Sequence, residues 1–140
     1  MTAMYTTTAT SIGGRKGHIK SADGIIDMDV RPPKEMGGPG GAANPETLFA
    51  AGYSACFNSA LGLAARMNRI QTGETKVTIS ISIGQDDKNE GYMLAAKIEA
   101  EIPGVSQDIA EMLVKKAHEL CPYSRATRGN IEVELVVKTA

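Results

Sequence analysis

The sequence of 140 residues holds two cysteines, Cys56 and Cys121, and two histidines, His18 and His118. Thiols lend themselves to metal ligation, to a permanent disulfide, or to a redox couple that opens and closes during turnover. Structural zinc sites draw on close pairs such as C-x-x-C. Cysteines 65 positions apart, with two scattered histidines, do not make one. Residues 1–10 contain no basic stretch followed by an apolar run, so no secretory signal is read there. A reducing, cytoplasmic setting is therefore expected, and a permanent disulfide is uncommon in such a compartment. On the residues alone three readings stay open: small buried hydrophobes, a structural bridge, or a redox couple.

Other chemistry-bearing residues are ambiguous one at a time. Arg15 lies in the loop Gly13-Gly14-Arg15-Lys16-Gly17 and could be a solvated surface charge. Glu46 follows Asn44-Pro45 and suits the first turn of a helix, where the dipole favours a carboxylate. His118 reads as a half-buried packing residue. The cluster Gly37-Gly38-Pro39-Gly40-Gly41 lacks the G-x-x-x-x-G-K-[ST] pattern of a phosphate loop and reads as a flexible connection. Seven Met beside two Phe and no Trp indicate an adaptable apolar interior.

The elements that must position these residues follow from pattern. Residues 4–10 are Thr-rich and predict a strand. Short strands at 19–21 and 25–30 flank Ala22-Asp23-Gly24, a hairpin signal. Residues 31–44, broken by Pro32, Pro33 and Pro39, predict one long loop. Asn44 is a favoured N-cap and Pro45 a favoured first helical residue. The segment 48–67 is apolar almost all round, which predicts a helix buried in a core or an interface; Gly52 is expected to interrupt it. Residues 77–83 alternate Val-Thr-Ile-Ser-Ile-Ser-Ile, with 93–102 as hairpin partner. Ser106 caps a second helix, with Ile109, Met112, Leu113, Ala117 and Leu120 as its apolar stripe. Pro122 stops that helix and leaves Cys121 at its end. Residues 131–138 close the chain as a strand. This order predicts an α+β fold, a mostly antiparallel sheet with helices on one face.

Length and composition bound the rest. The chain suits a single domain, 1–140, since domains commonly run ~100–200 residues. It is 42% hydrophobic and 22% charged, with a net charge of -1. That balance argues against binding nucleic acid or an anionic membrane surface, and no apolar stretch reads as a span.

Taken together the motifs are specific. Gly13 to Gly17, Ser21-Ala22-Asp23-Gly24, the block from Asn44-Pro45-Glu46 to Cys56-Phe57, the block Cys121-Pro122-Tyr123-Ser124, and Ala126 to Ile131 form an ordered set along the whole chain. The set closely resembles the Ohr branch of the Ohr/OsmC family, the organic hydroperoxide resistance proteins. Arg125 stands where that pattern carries asparagine, adding charge next to Cys121. The resemblance implies an OsmC-like fold assembled as an intertwined homodimer with sites at the subunit interface. It implies a thiol-dependent peroxidase active on alkyl and fatty-acid hydroperoxides, with no metal or bound cofactor, reduced by a dihydrolipoyl group on a lipoylated protein or by another dithiol. By position Cys56 would be the peroxidatic cysteine, Cys121 the resolving cysteine, and Arg15 and Glu46 the polar pair at the reactive sulfur. The rival readings are an OsmC-type peroxidase of other peroxide preference, or a small-molecule binding module with structural cysteines. Glu46 and Cys56 are ten residues apart, about 15 Å on an unbroken helix. A shared site thus needs a break at Gly52 or a second subunit, and the apolar helix favours the second subunit.

Overall fold

A computed structural model describes residues 1–140. The chain divides into two compact units, Met1–Leu48 and Phe49–Ala140.

The first unit is a three-stranded antiparallel sheet of β1 (Ala9–Ile12), β2 (His18–Ser21) and β3 (Asp27–Asp29). Pairing, more than threonine content, sets where β1 lies. Ala9 stands opposite Ser21 and Ile12 opposite His18, so the strand expected at 4–10 is shifted to 9–12. The Asp23 carboxylate accepts the Ser21 hydroxyl at 2.5 Å and the Ile25 N–H at 3.0 Å, which folds the predicted β2–β3 turn. Across these strands both ring nitrogens of His18 face carboxylates, Asp29 at 2.8 Å and Asp27 at 2.5 Å. Those two partners hold the imidazole above its ordinary pKa, so the clamp is complete where the imidazole is protonated and the aspartates are still ionised, and it weakens as pH rises through the raised value. The long 31–44 connection carries one 3-10 turn at Lys34–Met36. It is closed by a bridge between Val30 and Ala43, with the Arg31 N–H on the Ala43 carbonyl at 2.9 Å.

The helix α1 (Pro45–Met67) begins in the first unit and carries on into the second. Asn44 caps it as predicted, its side-chain oxygen accepting the Thr47 N–H at 2.8 Å. The expected break at Gly52 is absent: the helix is continuous for 23 residues. Gly52 answers a packing demand instead, since a Cβ there would sit 2.8 Å from the Tyr123 hydroxyl. Averaged over 18 residues α1 reaches a mean hydropathy of 1.3, enough by length and composition to cross a membrane. This exceeds the apolar length read from the sequence, because single polar residues such as Asn58 scarcely lower the mean. Tyr53, Phe57, Leu61 and Ala64 on one side of it are core residues of this chain.

In the second unit β4 (Lys76–Gln85) and β5 (Tyr92–Glu101) form the predicted antiparallel hairpin, with Ile79 opposite Ile98 and Val77 opposite Ala100. Alternation places Ala96, Ile98 and Ala100 of β5 in the core, and leaves Lys97 and Glu99 paired on the other face. Two helices follow, α2 (Gln107–Leu120) and α3 (Pro122–Thr127), and then β6 (Val133–Lys138). The return of β6 is parallel to β5, Ile98 standing opposite Leu135. A parallel neighbour needs a long crossover, and the segment carrying α2 and α3 provides it. Three of the four strand pairings are antiparallel, so the α+β expectation holds.

Ser106 caps α2 by accepting the Ile109 N–H. The buried face of α2 is Ala110, Leu113, Val114 and Ala117, while Ile109 and Met112 are 37% and 40% exposed. The buried face is therefore turned by about one residue from the predicted stripe, because the small side chain of Ala110 fills a core position. Leu113→Ala should cost about 2–5 kcal/mol of stability, as core truncations do, whereas Met112→Ala should cost no more than about 0.5 kcal/mol, as at surface sites. Urea unfolding followed by circular dichroism distinguishes the two.

Candidate functional site

The first unit builds an ion pair. Arg15 sits in a 3-10 turn, Gly14–Lys16, entered through Gly13 at φ 83° and Gly14 at φ 60°. At its far end a Cβ on Gly17 would lie 1.7 Å from the Ile12 carbonyl oxygen, so only glycine fits. Arg31 donates to the carbonyls of Lys16 and Gly17 at 3.0 and 2.8 Å, which anchors this end of the turn. The turn delivers the Arg15 guanidinium to Glu46 in a two-pronged contact, Nη1 to Oε2 at 2.8 Å and Nη2 to Oε1 at 2.5 Å. The Glu46 side chain is 13% exposed and that of Arg15 39%. The hydrogen bonds from Arg15 hold the Glu46 carboxyl below its ordinary range, and the same bonds raise the guanidinium further. The pair therefore persists as a charged unit to pH values below those at which a free glutamate protonates.

The second unit brings the two cysteines together. Cys56 projects from α1, half-buried, and Cys121 is fully buried at the α2–α3 junction. Their sulfurs are 3.6 Å apart and both are free thiols. Burial pushes the Cys56 thiol up, the neighbouring Cys121 thiol adds to this, and the backbone N–H of Tyr123 pulls the other way. Both phenylalanines and two of the four tyrosines gather here. Ring centres of Phe49 and Tyr53 are 5.9 Å apart, those of Phe49 and Tyr123 6.0 Å, and those of Tyr53 and Tyr123 5.6 Å. The thiol pair thus shares one core cluster with the aromatic side chains Phe49, Tyr53 and Phe57.

Glu46 and Cys56 share one unbroken helix, ten residues and about 15 Å apart along its axis. The break at Gly52, expected as one way of joining them, is not present. Arg125 is exposed on α3, and its backbone N–H donates to the Cys121 carbonyl at 2.9 Å. Its charge therefore faces solvent while the neighbouring thiol is buried.

Sequence reasoning missed one set of polar residues. Tyr53, Ser124 and Thr127 are buried, and the hydroxyl of Ser124 meets the Tyr53 hydroxyl at 2.7 Å and His118 Nδ1 at 2.8 Å. His118, read as packing, is half-buried and held below its ordinary pKa by burial and by Arg128. The available signal was spacing: Tyr53 lies three residues before Cys56, His118 three before Cys121, and Ser124 three after it. No group of side chains in the chain is arranged to hold a metal ion.

The family model for OsmC-like protein matches residues 38–136. An organic hydroperoxide resistance protein-like protein of Staphylococcus epidermidis is 49% identical over 136 residues, 96% of each chain. One from Staphylococcus aureus is 44% identical over 138 residues, covering 98% of this chain and 97% of that one. Among solved structures, an organic hydroperoxide resistance protein of Elizabethkingia anophelis is 52% identical, with a TM-score of 0.95 over the full length of both chains. The organic hydroperoxide resistance protein OhrB of Bacillus subtilis is 38% identical with a TM-score of 0.89, covering 97% of this chain and all of that one.

The environment of Cys56 yields a prediction with a definite sign. Cys121→Ala removes one of the two influences that raise the Cys56 thiol, so the pH profile of Cys56 alkylation by iodoacetamide should shift to lower pH than in the parent chain. An unchanged or upward shift would mean that the Cys121 thiol does not act on Cys56.

Proposed function

The chain belongs to the OsmC-like protein family, among the organic hydroperoxide resistance proteins, and from that membership we propose that it is a thiol-dependent peroxidase reducing organic hydroperoxides. The observation that carries the reading is the contact between the half-buried Cys56 and the buried Cys121, 3.6 Å apart.

The Cys56 thiolate attacks the distal oxygen of the hydroperoxide. The O–O bond breaks, an alkoxide leaves and takes a proton to become the alcohol, and Cys56 becomes a sulfenic acid. Cys121 then displaces the sulfenic oxygen as water and forms a disulfide, which shields Cys56 from further oxidation. A dithiol such as a dihydrolipoyl group on a lipoylated protein returns both thiols by exchange. The aromatic wall favours alkyl and fatty-acid hydroperoxides over hydrogen peroxide.

A thiolate is required, and burial works against it. A cation must therefore act on Cys56, and we assign this to Arg15. Its guanidinium stays charged, stabilises the thiolate and offers N–H donors to the peroxide oxygens and the departing alkoxide. Glu46 orients it and keeps clear of the sulfur, where a second anion would disfavour the thiolate. With α1 unbroken, the reading places Glu46 beside the Cys56 of a partner subunit, with Arg15 bridging.

A homodimer is supported by what the chain leaves uncovered. The first unit buries only Ser21, Val30 and Pro32, too little for a segment of that size to be stable by itself. It exposes Met4, Tyr5, Ile12 and Ile25. Along α1, Ala51, Ala55, Leu63 and Met67 form a second uncovered apolar stripe. A second copy of the chain would cover both. The setting proposed is the cytoplasm, where a reduced dithiol supply sustains turnover.

Cys56→Ser should abolish peroxide consumption. Cys121→Ser should permit one oxidation, fail with a dithiol reductant and end with overoxidised Cys56. Arg15→Ala should slow the first oxidation by about 100-fold or more, the scale of losing a group that stabilises developing charge, without an equal loss of thermal stability. Mixed Glu46→Ala and Cys56→Ser chains should regain part of their activity on subunit exchange, because one site of each heterodimer is then intact. Normal turnover by Cys56→Ser would overturn the reading, and no recovery in confirmed heterodimers would place Glu46 and Cys56 of one site on the same chain.

A further inference from the structure

The hydroxyl cluster beneath the sulfurs joins the elements that carry them. Tyr53 on α1 is one turn from Cys56, and His118 and Ser124 are each one turn from Cys121, on α2 and α3. The Tyr53 hydroxyl meets Ser124 Oγ at 2.7 Å and Thr127 Oγ1 at 3.1 Å. Ser124 Oγ also meets His118 Nδ1 at 2.8 Å, and the Thr127 hydroxyl donates to the Ser124 carbonyl at 3.2 Å. Tyr53 and Ser124 are fully buried and Thr127 is 4% exposed, and the chain has no buried side-chain polar atom without a partner. A hydroxyl left unpaired in an apolar interior is costly. Sliding α1 against the α2–α3 junction would break these bonds where water cannot replace them.

We propose that Tyr53, Ser124, Thr127 and His118 form a positioning network that holds Cys56 and Cys121 at closing distance and so sets how fast Cys121 captures oxidised Cys56. The proposal rests on the redox reading of the two cysteines. The sulfurs are in contact at 3.6 Å, and an S–S bond is about 2.05 Å, so side-chain rotation supplies most of the approach while the network stays in place. In the capture step the Cys56 sulfenic S–O bond breaks and the Cys56–Cys121 S–S bond forms. The hydroxyl leaves with the thiol proton of Cys121 as water, and no outside oxidant or reductant enters. These four act as positioning residues through their hydroxyls and imidazole, which bond to one another and to backbone rather than to a sulfur.

The test measures the pair without peroxide first. Equilibrating the protein with mixtures of reduced and oxidised dithiothreitol gives the effective concentration of one thiol for the other. Tyr53→Phe and Ser124→Ala should each lower it about tenfold, the scale of a small misplacement of reacting groups, and the double variant should lose less than the product of the two. Leu113→Ala, a core truncation that removes none of the network's hydrogen bonds, should leave it unchanged despite lower stability. With an organic hydroperoxide, Ser124→Ala should form sulfenic acid at the parent rate when Cys121 is replaced by serine. With Cys121 present it should close the disulfide about tenfold more slowly and accumulate more sulfinic acid. Tyr53→Phe carries the test by itself if Ser124→Ala does not fold. An effective concentration unmoved in Tyr53→Phe, or moved equally in Leu113→Ala, would overturn the proposal. If it falls as expected while the parent chain ignores hydroperoxide, the network stands and the peroxidase reading fails.

Discussion

Proline cannot follow a residue in helical backbone without a clash between its ring and that residue. Pro122 therefore takes Cys121 out of the helix, to φ -64° and ψ 123°. This single constraint ends α2, starts α3 at a new direction and leaves the Cys121 side chain fully buried at the corner between them. The other features of the second unit's site depend on that corner. Tyr123 follows it, with its backbone N–H on Cys56 and its ring among Phe49 and Tyr53. Ser124 is buried one residue later and receives Tyr53 and His118. Gly52 is kept small because the Tyr123 hydroxyl occupies the space beside it. A straight α2 would separate the thiols and dissolve the cluster.

Opposed influences on one sulfur give the chemistry its shape. On the proposed peroxidase reading, burial among aromatic rings suits an organic peroxide, yet it raises the Cys56 thiol and so works against the nucleophile that reading requires. The first unit contains a guanidinium fixed by two bonds to a mostly buried carboxylate, to which the proposed mechanism gives the compensating role. A pair of this kind has little net charge, yet it still presents N–H donors in a fixed plane. The geometry of α1 sets a condition on its use: Glu46 and Cys56 of one helix are kept apart, and the proposed dimer resolves this with a second chain.

Local rules made much of the fold legible. Asn44 with Pro45 and Ser106 marked their helix starts, Pro122 marked a stop, and the Ile-Ser alternation of β4 named its buried face. The pairing of Cys56 with Cys121 is implied by the resemblance that the motif blocks carry, whereas their spacing of 65 positions alone leaves it open. What stayed hidden was decided by neighbours distant in sequence. β1 lies where β2 pairs with it, and Gly52 is intelligible only once Tyr123 is seen beside it. The buried face of α2 includes Ala110, whose small side chain gives little signal. The parallel pairing of β6 with β5 depends on the whole crossover. Tyr53, Ser124 and His118 are each unremarkable in type, and only their three-residue spacing from the cysteines hinted at a shared role.

On the proposed reading the paired thiols are a redox couple driven by organic hydroperoxide. Its most direct test is the covalent product of a single turnover. Reduced protein treated with one equivalent of cumene hydroperoxide, then alkylated and digested, should yield a disulfide joining the Cys56 and Cys121 peptides of one chain. It should also release one equivalent of cumyl alcohol, with both thiols lost together. Two alkylated cysteines and intact hydroperoxide would contradict the claim.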